Sequence, residues 1–153
     1  VQKLSQFVVD TKYEDLPDDV VHATKYLLLD SIGCGLASVT TDRGKMSIAM
    51  AKKMGGPPES SIIGIGDKVS NVSAAYVNGE LINSTDYHSL IFPGGHVPPY
   101  VIPPTLAIAE NKDVSGRDLL LAMALGFEVA GRIPAGLKKD MFISETSIEG
   151  ALQ

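Results

Sequence analysis

Apolar residues recur at helical spacing along most of this chain. Leu4, Phe7 and Val8 share one face of a short helix that runs to about Asp10. Val20, Val21, Thr24, Leu27, Leu28 and Ile32 form a wide apolar stripe, which predicts a long buried helix within DLPDDVVHATKYLLLDSIGCGLAS. Pro17 suits its first turn, and Asp18 and Asp19 complement its positive end. Gly33 and Gly35 allow a neighbouring helix to come close. Asp30, alone among apolar residues, needs a backbone donor or a cation as partner.

A third helix is expected from Arg43 to Met54, stopped by Gly55-Gly56-Pro57-Pro58. Ser60 to Ile65 is a short β-branched run and predicts a strand or extended connector. A fourth helix, from about Asn71 to Ser84, carries Ala74, Ala75, Val77, Leu81 and Ile82 on its apolar side. Another opens near Pro98 and includes VIPPTLAIAE; its prolines belong near its start, because an interior proline removes a hydrogen bond. Ser115 with Asp118 resembles a capping box ahead of LLLAMALGFEVAGRI, the most regular helical segment of the chain. After Ile133 the periodicity fades and the rest reads as loop with, at most, a short terminal helix. Helices of similar length joined by short loops predict a mainly α protein, a packed helical bundle rather than βαβ units.

The 153 residues suit a single helical domain over 1–153, or a part of a larger one. A net charge of −5, dispersed without a Lys/Arg stripe, argues against nucleic acid and anionic membranes as partners. Tyr76, Tyr87 and Tyr100 are too few to make a base-stacking platform around the central loop. Cys34 is the sole cysteine, so an internal disulfide is excluded and a reducing compartment, the cytoplasm, is expected. Its setting in SIGCGLAS reads as a packed small residue rather than a nucleophile. No apolar run approaches the roughly 20 residues of a membrane span, and the first residues lack the features of a signal peptide.

The candidate chemistry is concentrated between Asn78 and Glu110. Within eleven residues, Asp86, His88 and His96 surround a Pro/Gly-rich turn between two helical segments. A carboxylate and two imidazoles on one loop can move protons near neutral pH. Each also has a structural reading: Asp86 as a turn cap, His88 as a solvated loop residue, His96 as an imidazole held at a pocket wall by Gly94-Gly95 and Val97-Pro98-Pro99. The three have metal-ligand chemistry but match no standard metal spacing and supply no second cluster, so a metal is the minority reading. Gly64 to Lys68 lacks the pattern of a phosphate loop and reads as a turn; no Gly-X-Ser-X-Gly elbow is present.

The segments LPDDVVHATKYLLLDSIGCGLAS, AAYVNGELINSTDYHS, GGHVPPYVIPPTLAIAE and SGRDLLLAMALGFEVAGRI occur in that order. Together they resemble the N-terminal helical region of the MmgE/PrpD family, over nearly the whole chain to about Ile133. The resemblance implies a large helical domain and a smaller α/β lid, the lid falling outside this chain, in a homodimer that needs no metal or cofactor. The family loop reads Asn-Gly, then Asp-aromatic-Asp-Asp-Thr, and later His-Pro-Ser. Asp86 and His96 match its first acid and its histidine, which makes them the candidate catalytic residues, and Tyr87 matches the aromatic. His88 and Ser89 stand where the second and third acids usually are, Leu90 replaces the threonine, and Val97-Pro98 replaces Pro-Ser. The family's later lysine and second histidine are expected beyond Gln153.

The resemblance implies a lyase, foremost a dehydratase of a small hydroxy polycarboxylate such as 2-methylcitrate. His96 would exchange the proton next to a carboxylate, Asp86 would orient it, and Tyr87, His88 and Ser89 would bind substrate, His88 through a positive charge. Decarboxylation, isomerisation and epimerisation stay open within the family. A non-catalytic carboxylate-binding module, or a dimerisation unit built on Gly33 to Ala37 and Leu119 to Val129, is the alternative from another class.

Overall fold

The computed structural model describes residues 2–91 and 95–136. It is a mainly α structure: α1 (Gln2–Asp10), α2 (Asp18–Ser38), α3 (Asp42–Met54), α4 (Asn71–Asn83), α5 (Pro98–Lys112) and α6 (Gly116–Gly136). A 3-10 turn at Tyr13–Asp15 joins α1 to α2, and a two-residue ladder pairs β1 (Ser60–Ser61) with β2 (Lys68–Val69), antiparallel. Among the described residues no helix is long and apolar enough to cross a membrane. The expected loop and short helix after Ile133 lie largely outside the described residues, although α6 itself continues to Gly136.

Helix α4 is the axis of the packing, in contact with α2, α3 and α5. Ala74, Val77 and Leu81 face Ile48 and Ala51 of α3 and Ile62 of the β turn, while Ile82 joins Val101 and Ile102 of α5 and Met123 and Phe127 of α6. The caps are local. Ser70 accepts from Ser73 N at the start of α4, Thr41 from Gly44 N at α3, and Ser115 from Asp118 N at α6. Ser115 Oγ also donates to the Asp118 carboxylate, so the two residues of the expected capping box pair through their side chains.

Three expectations are revised. The run from Ser60 to Ile65 pairs only at Ser60–Ser61, because the chain turns back at Gly64 and Gly66, whose φ of 76° and 79° favour glycine. Helix α2 buries a stripe of small residues, Thr24, Ser31, Cys34, Gly35 and Ser38; Tyr26, Leu29 and Leu36 point to solvent, and Val20 is at the surface. The expected wide apolar face is therefore only partly covered. Pro103 and Pro104 lie inside α5 rather than at its start, where Pro98 and Pro99 sit.

The interior prolines fit because of α4. Pro103 has no N–H to give the carbonyl of Pro99, so that oxygen turns to the neighbouring helix. There it meets Gly79, where even an added Cβ would come within 2.9 Å of it. The preceding Asn78, 3% exposed, ties α4 to the β turn: its Oδ1 accepts from Ile63 N at 2.9 Å and its Nδ2 donates to Ser61 O at 3.0 Å. The Asn78-Gly79 pair thus serves packing of α4 against the β turn and α5.

Candidate active site

The loop from Ser84 to Val97 connects the C-terminus of α4 to the N-terminus of α5. Asp86 N donates to Asn83 O, and Asp86 itself adopts a left-handed conformation with φ 53°. Aspartate tolerates that region better than most residues, and here it swings the carboxylate back over the loop. An antiparallel bridge between Ile91 and Gly95 closes the tip, with Gly95 at φ 77°. His96 follows directly, and buried Val97 leads into α5.

Asp30 holds the middle of this loop. Its Oδ2 accepts hydrogen bonds from both Ser89 N at 2.9 Å and Ser89 Oγ at 2.8 Å, across 59 residues of sequence. The isolated carboxylate of α2 thus finds its partner in a backbone N–H and a hydroxyl rather than a cation. Ser89, expected to bind substrate, is engaged as the loop's anchor. The clue in the sequence was the unpaired Asp30; nothing indicated which of the distant donors would satisfy it.

The geometry brings Asp86, His88 and His96 together. His96 Nδ1 lies 2.9 Å from His88 Nε2 and 3.5 Å from Asp86 Oδ1. The two rings meet edge to face, with centroids 5.0 Å apart. One oxygen or nitrogen of each residue falls within 4.8 Å of the others, a spacing at which the trio could also ligate a metal ion. Their exposures differ sharply: Asp86 is exposed, His96 half-buried and His88 only 5% exposed.

Burial decides the charge of His88. Desolvation, and next the neighbouring His96, push its pKa below the usual histidine value, while Asp86, the Ile82 backbone carbonyl and Asp30 pull weakly the other way. His88 is neutral at neutral pH, so it does not supply the positive charge expected of it. Its Nδ1 is enclosed and makes no well-aligned hydrogen bond among the described residues. Tyr87 is 84% exposed and, with Asp30, Gly33, Cys34, Ala37 and Thr85, lines an open groove of about 500 Å³ beside the loop. The Cys34 thiol in that groove has its pKa raised by burial and then by Asp30, which makes it a poor nucleophile and agrees with its reading as a packing residue.

The arrangement is paired with a clear sequence relationship. The signature of the MmgE/PrpD N-terminal domain matches residues 2–146. The chain belongs to the MmgE/PrpD family. It is 33% identical over 126 residues to the cis-aconitate decarboxylase of Aspergillus terreus, a match covering 78% of this chain and 26% of that protein. The human cis-aconitate decarboxylase is 33% identical over 127 residues, covering 80% of this chain and 26% of the relative. A cis-aconitate decarboxylase-like protein of Aspergillus oryzae is 30% identical over 145 residues, with coverages of 88% and 30%. The chain thus spans between a quarter and a third of the length of the curated relatives it matches. No solved structure gives a significant match. Within the MmgE/PrpD fold, the described loop sits where the N-terminal helices α2, α4 and α5 meet, and it carries Asp86 and His96 side by side.

Proposed function

We propose that this chain carries the acid–base part of an MmgE/PrpD lyase site, in which His96 exchanges a proton at carbon next to a carboxylate. The carrying observation is the placement of His88 Nε2 and Asp86 Oδ1 on the same nitrogen, Nδ1, of His96. A neutral His88 that keeps its own proton on the enclosed Nδ1 presents Nε2 as an acceptor. His96 then holds its proton on Nδ1 and leaves the lone pair of Nε2 free. That nitrogen is the base. When it takes a proton, the resulting imidazolium is stabilised by the adjacent Asp86 carboxylate, and the reverse step delivers the proton to a carbanion.

The names of the relatives favour decarboxylation of cis-aconitate over the dehydration of 2-methylcitrate implied by the resemblance alone. In decarboxylation the carbon–carbon bond breaks, carbon dioxide leaves, and the electron pair left on carbon is spread onto a conjugated carboxylate until His96, which has first taken a proton from solvent onto Nε2, delivers that proton to the carbon. In dehydration the same ring first removes a proton and the hydroxyl departs as water. Both need one positioned imidazole, and both need cationic groups for the substrate carboxylates. Since the chain spans only part of its relatives, we place those cationic groups outside it.

The test is turnover of cis-aconitate, read as carbon dioxide release, and of 2-methylcitrate, read as alkene absorbance, in the protein that contains this segment. His96→Gln is expected to lower the active reaction at least ~100-fold, and Asp86→Asn to lower it less, since its side chain is 77% exposed. Near-normal turnover in His96→Gln contradicts the assignment.

A second copy of the chain is the partner we assign to the outer face of α2. Tyr26, Leu29 and Leu36 are 69%, 67% and 52% exposed there, and Gly33 between them has open space above it. The other expected interface, Leu119 to Val129, is instead engaged in the core through Met123, Leu125 and Phe127.

A further inference from the structure

We infer that Asp86, His88 and His96 form a binding site for a divalent transition-metal ion, of which Zn²⁺ is the reference case. Ion binding rests on the geometry of the loop, and only its consequence for turnover rests on the reaction proposed above. Two imidazoles and one carboxylate are the donor set that first-row transition ions prefer over Mg²⁺ or Ca²⁺. Zinc bonds of about 2.0–2.1 Å to nitrogen and oxygen put the ligand atoms of a tetrahedral site about 3.3 Å apart. His96 Nδ1 stands 2.9 Å from His88 Nε2 and 3.5 Å from Asp86 Oδ1, on either side of that spacing. All three donors lie within 4.8 Å of one another.

The surroundings are those of a built site rather than a chance surface cluster. His88 is 5% exposed, and its second nitrogen is sealed off without a well-aligned partner among the described residues. Ligation through Nε2 replaces its 2.9 Å contact with His96 Nδ1 by a bond to the ion and leaves the enclosed Nδ1 where it is. The Ser89–Asp30 hydrogen bonds hold His88 from the adjacent position, and the Ile91–Gly95 bridge holds His96. The exposed Asp86 supplies the open side by which an ion enters.

Metal and base exclude each other at this site. An ion on Nδ1 of His96 displaces the proton from that nitrogen, and the neutral ring then carries it on Nε2. The lone pair that serves as base disappears, so the metal-bound state is the inactive one.

The test begins with protein freed of metal by a chelator and titrated with Co²⁺, whose visible absorption reports four-coordinate ligation. Added Zn²⁺ then displaces it. One equivalent is expected to bind, with affinity at least ~10-fold weaker in both Asp86→Asn and His88→Gln and unchanged in His22→Gln. His22 is exposed and distant in sequence, so it controls for surface histidines. Asp86→Asn alters an exposed side chain and keeps the test valid even where His88→Gln fails to fold. No spectral change in excess Co²⁺ overturns the inference. So does binding that survives Asp86→Asn, or that is lost in His22→Gln.

Discussion

Asp30 shows how one half-buried group can organise a site it does not enter. It is the sole described side chain holding Ser89, accepting from both its N–H and its hydroxyl. Hydrogen bonds to a charged acceptor contribute about 1.5–3 kcal/mol, so Asp30→Ala is expected to destabilise the protein by about 2 kcal/mol in denaturant unfolding. Ser89→Ala should cost less, because the backbone N–H still reaches the carboxylate. Equal stability of Asp30→Ala and the parent would mean that the loop is held elsewhere. At this scale Asp86, His88 and His96 were legible in the sequence because they lie within eleven residues of one another. Asp30 was legible only as a problem: a carboxylate in an apolar helix announces a need for a partner, yet nothing local says that the partner is Ser89. The loss of charge at His88 was also hidden, since it depends on burial rather than on residue type.

Among the elements, the helices followed their apolar periodicity and their caps, and the exceptions have physical causes. The interior prolines of α5 broke the sequence rule because Gly79 of α4 makes room for the carbonyl that Pro103 cannot satisfy. The short ladder is secured from outside. Glu110 of α5 accepts from Ser61 N and Ser61 Oγ, each at 2.7 Å, and pairs with Lys68 of β2 at 2.9 Å. Partial burial pushes the Glu110 pKa up, but Lys68 and the Ser61 donors outweigh it and hold the carboxyl below its usual range. A lowered folded-state pKa contributes stability above the unfolded value, about 4.3, and that stability is lost as pH falls through the folded value. Glu110→Gln is therefore expected to lower stability by about 1 kcal/mol at neutral pH and to match the parent in acid. Thermal melts across pH check this, and a gap that persists unchanged in acid would refute it.

For the whole molecule, the sequence conveyed a helical bundle and the family, but not which side of α2 would be covered. Helical periodicity marks an apolar face without saying whether small or large residues pack inward. Here Thr24, Ser31, Gly35 and Ser38 fill the narrow gap to the neighbouring helices, and the bulky Tyr26, Leu29 and Leu36 remain outside. Such a contiguous exposed apolar strip suits association of two copies. Leu29→Asp combined with Leu36→Asp is expected to turn a dimer into a monomer in sedimentation, with the thermal midpoint of the fold itself little changed. A parent protein that sediments as a monomer at all concentrations would dismiss the interface.

The central claim is that His88 and Asp86 fix the proton of His96 on Nδ1 and free Nε2 as a base. The most direct measurement is the ¹⁵N NMR of the histidine side chains in metal-free protein at neutral pH, with exposed His22 as the internal reference. The account predicts a protonated Nδ1 and an unprotonated Nε2 for His96, both reverting toward the His22 pattern in Asp86→Asn combined with His88→Gln. A His96 protonated on Nε2, or one indistinguishable from His22 in the parent, would contradict it.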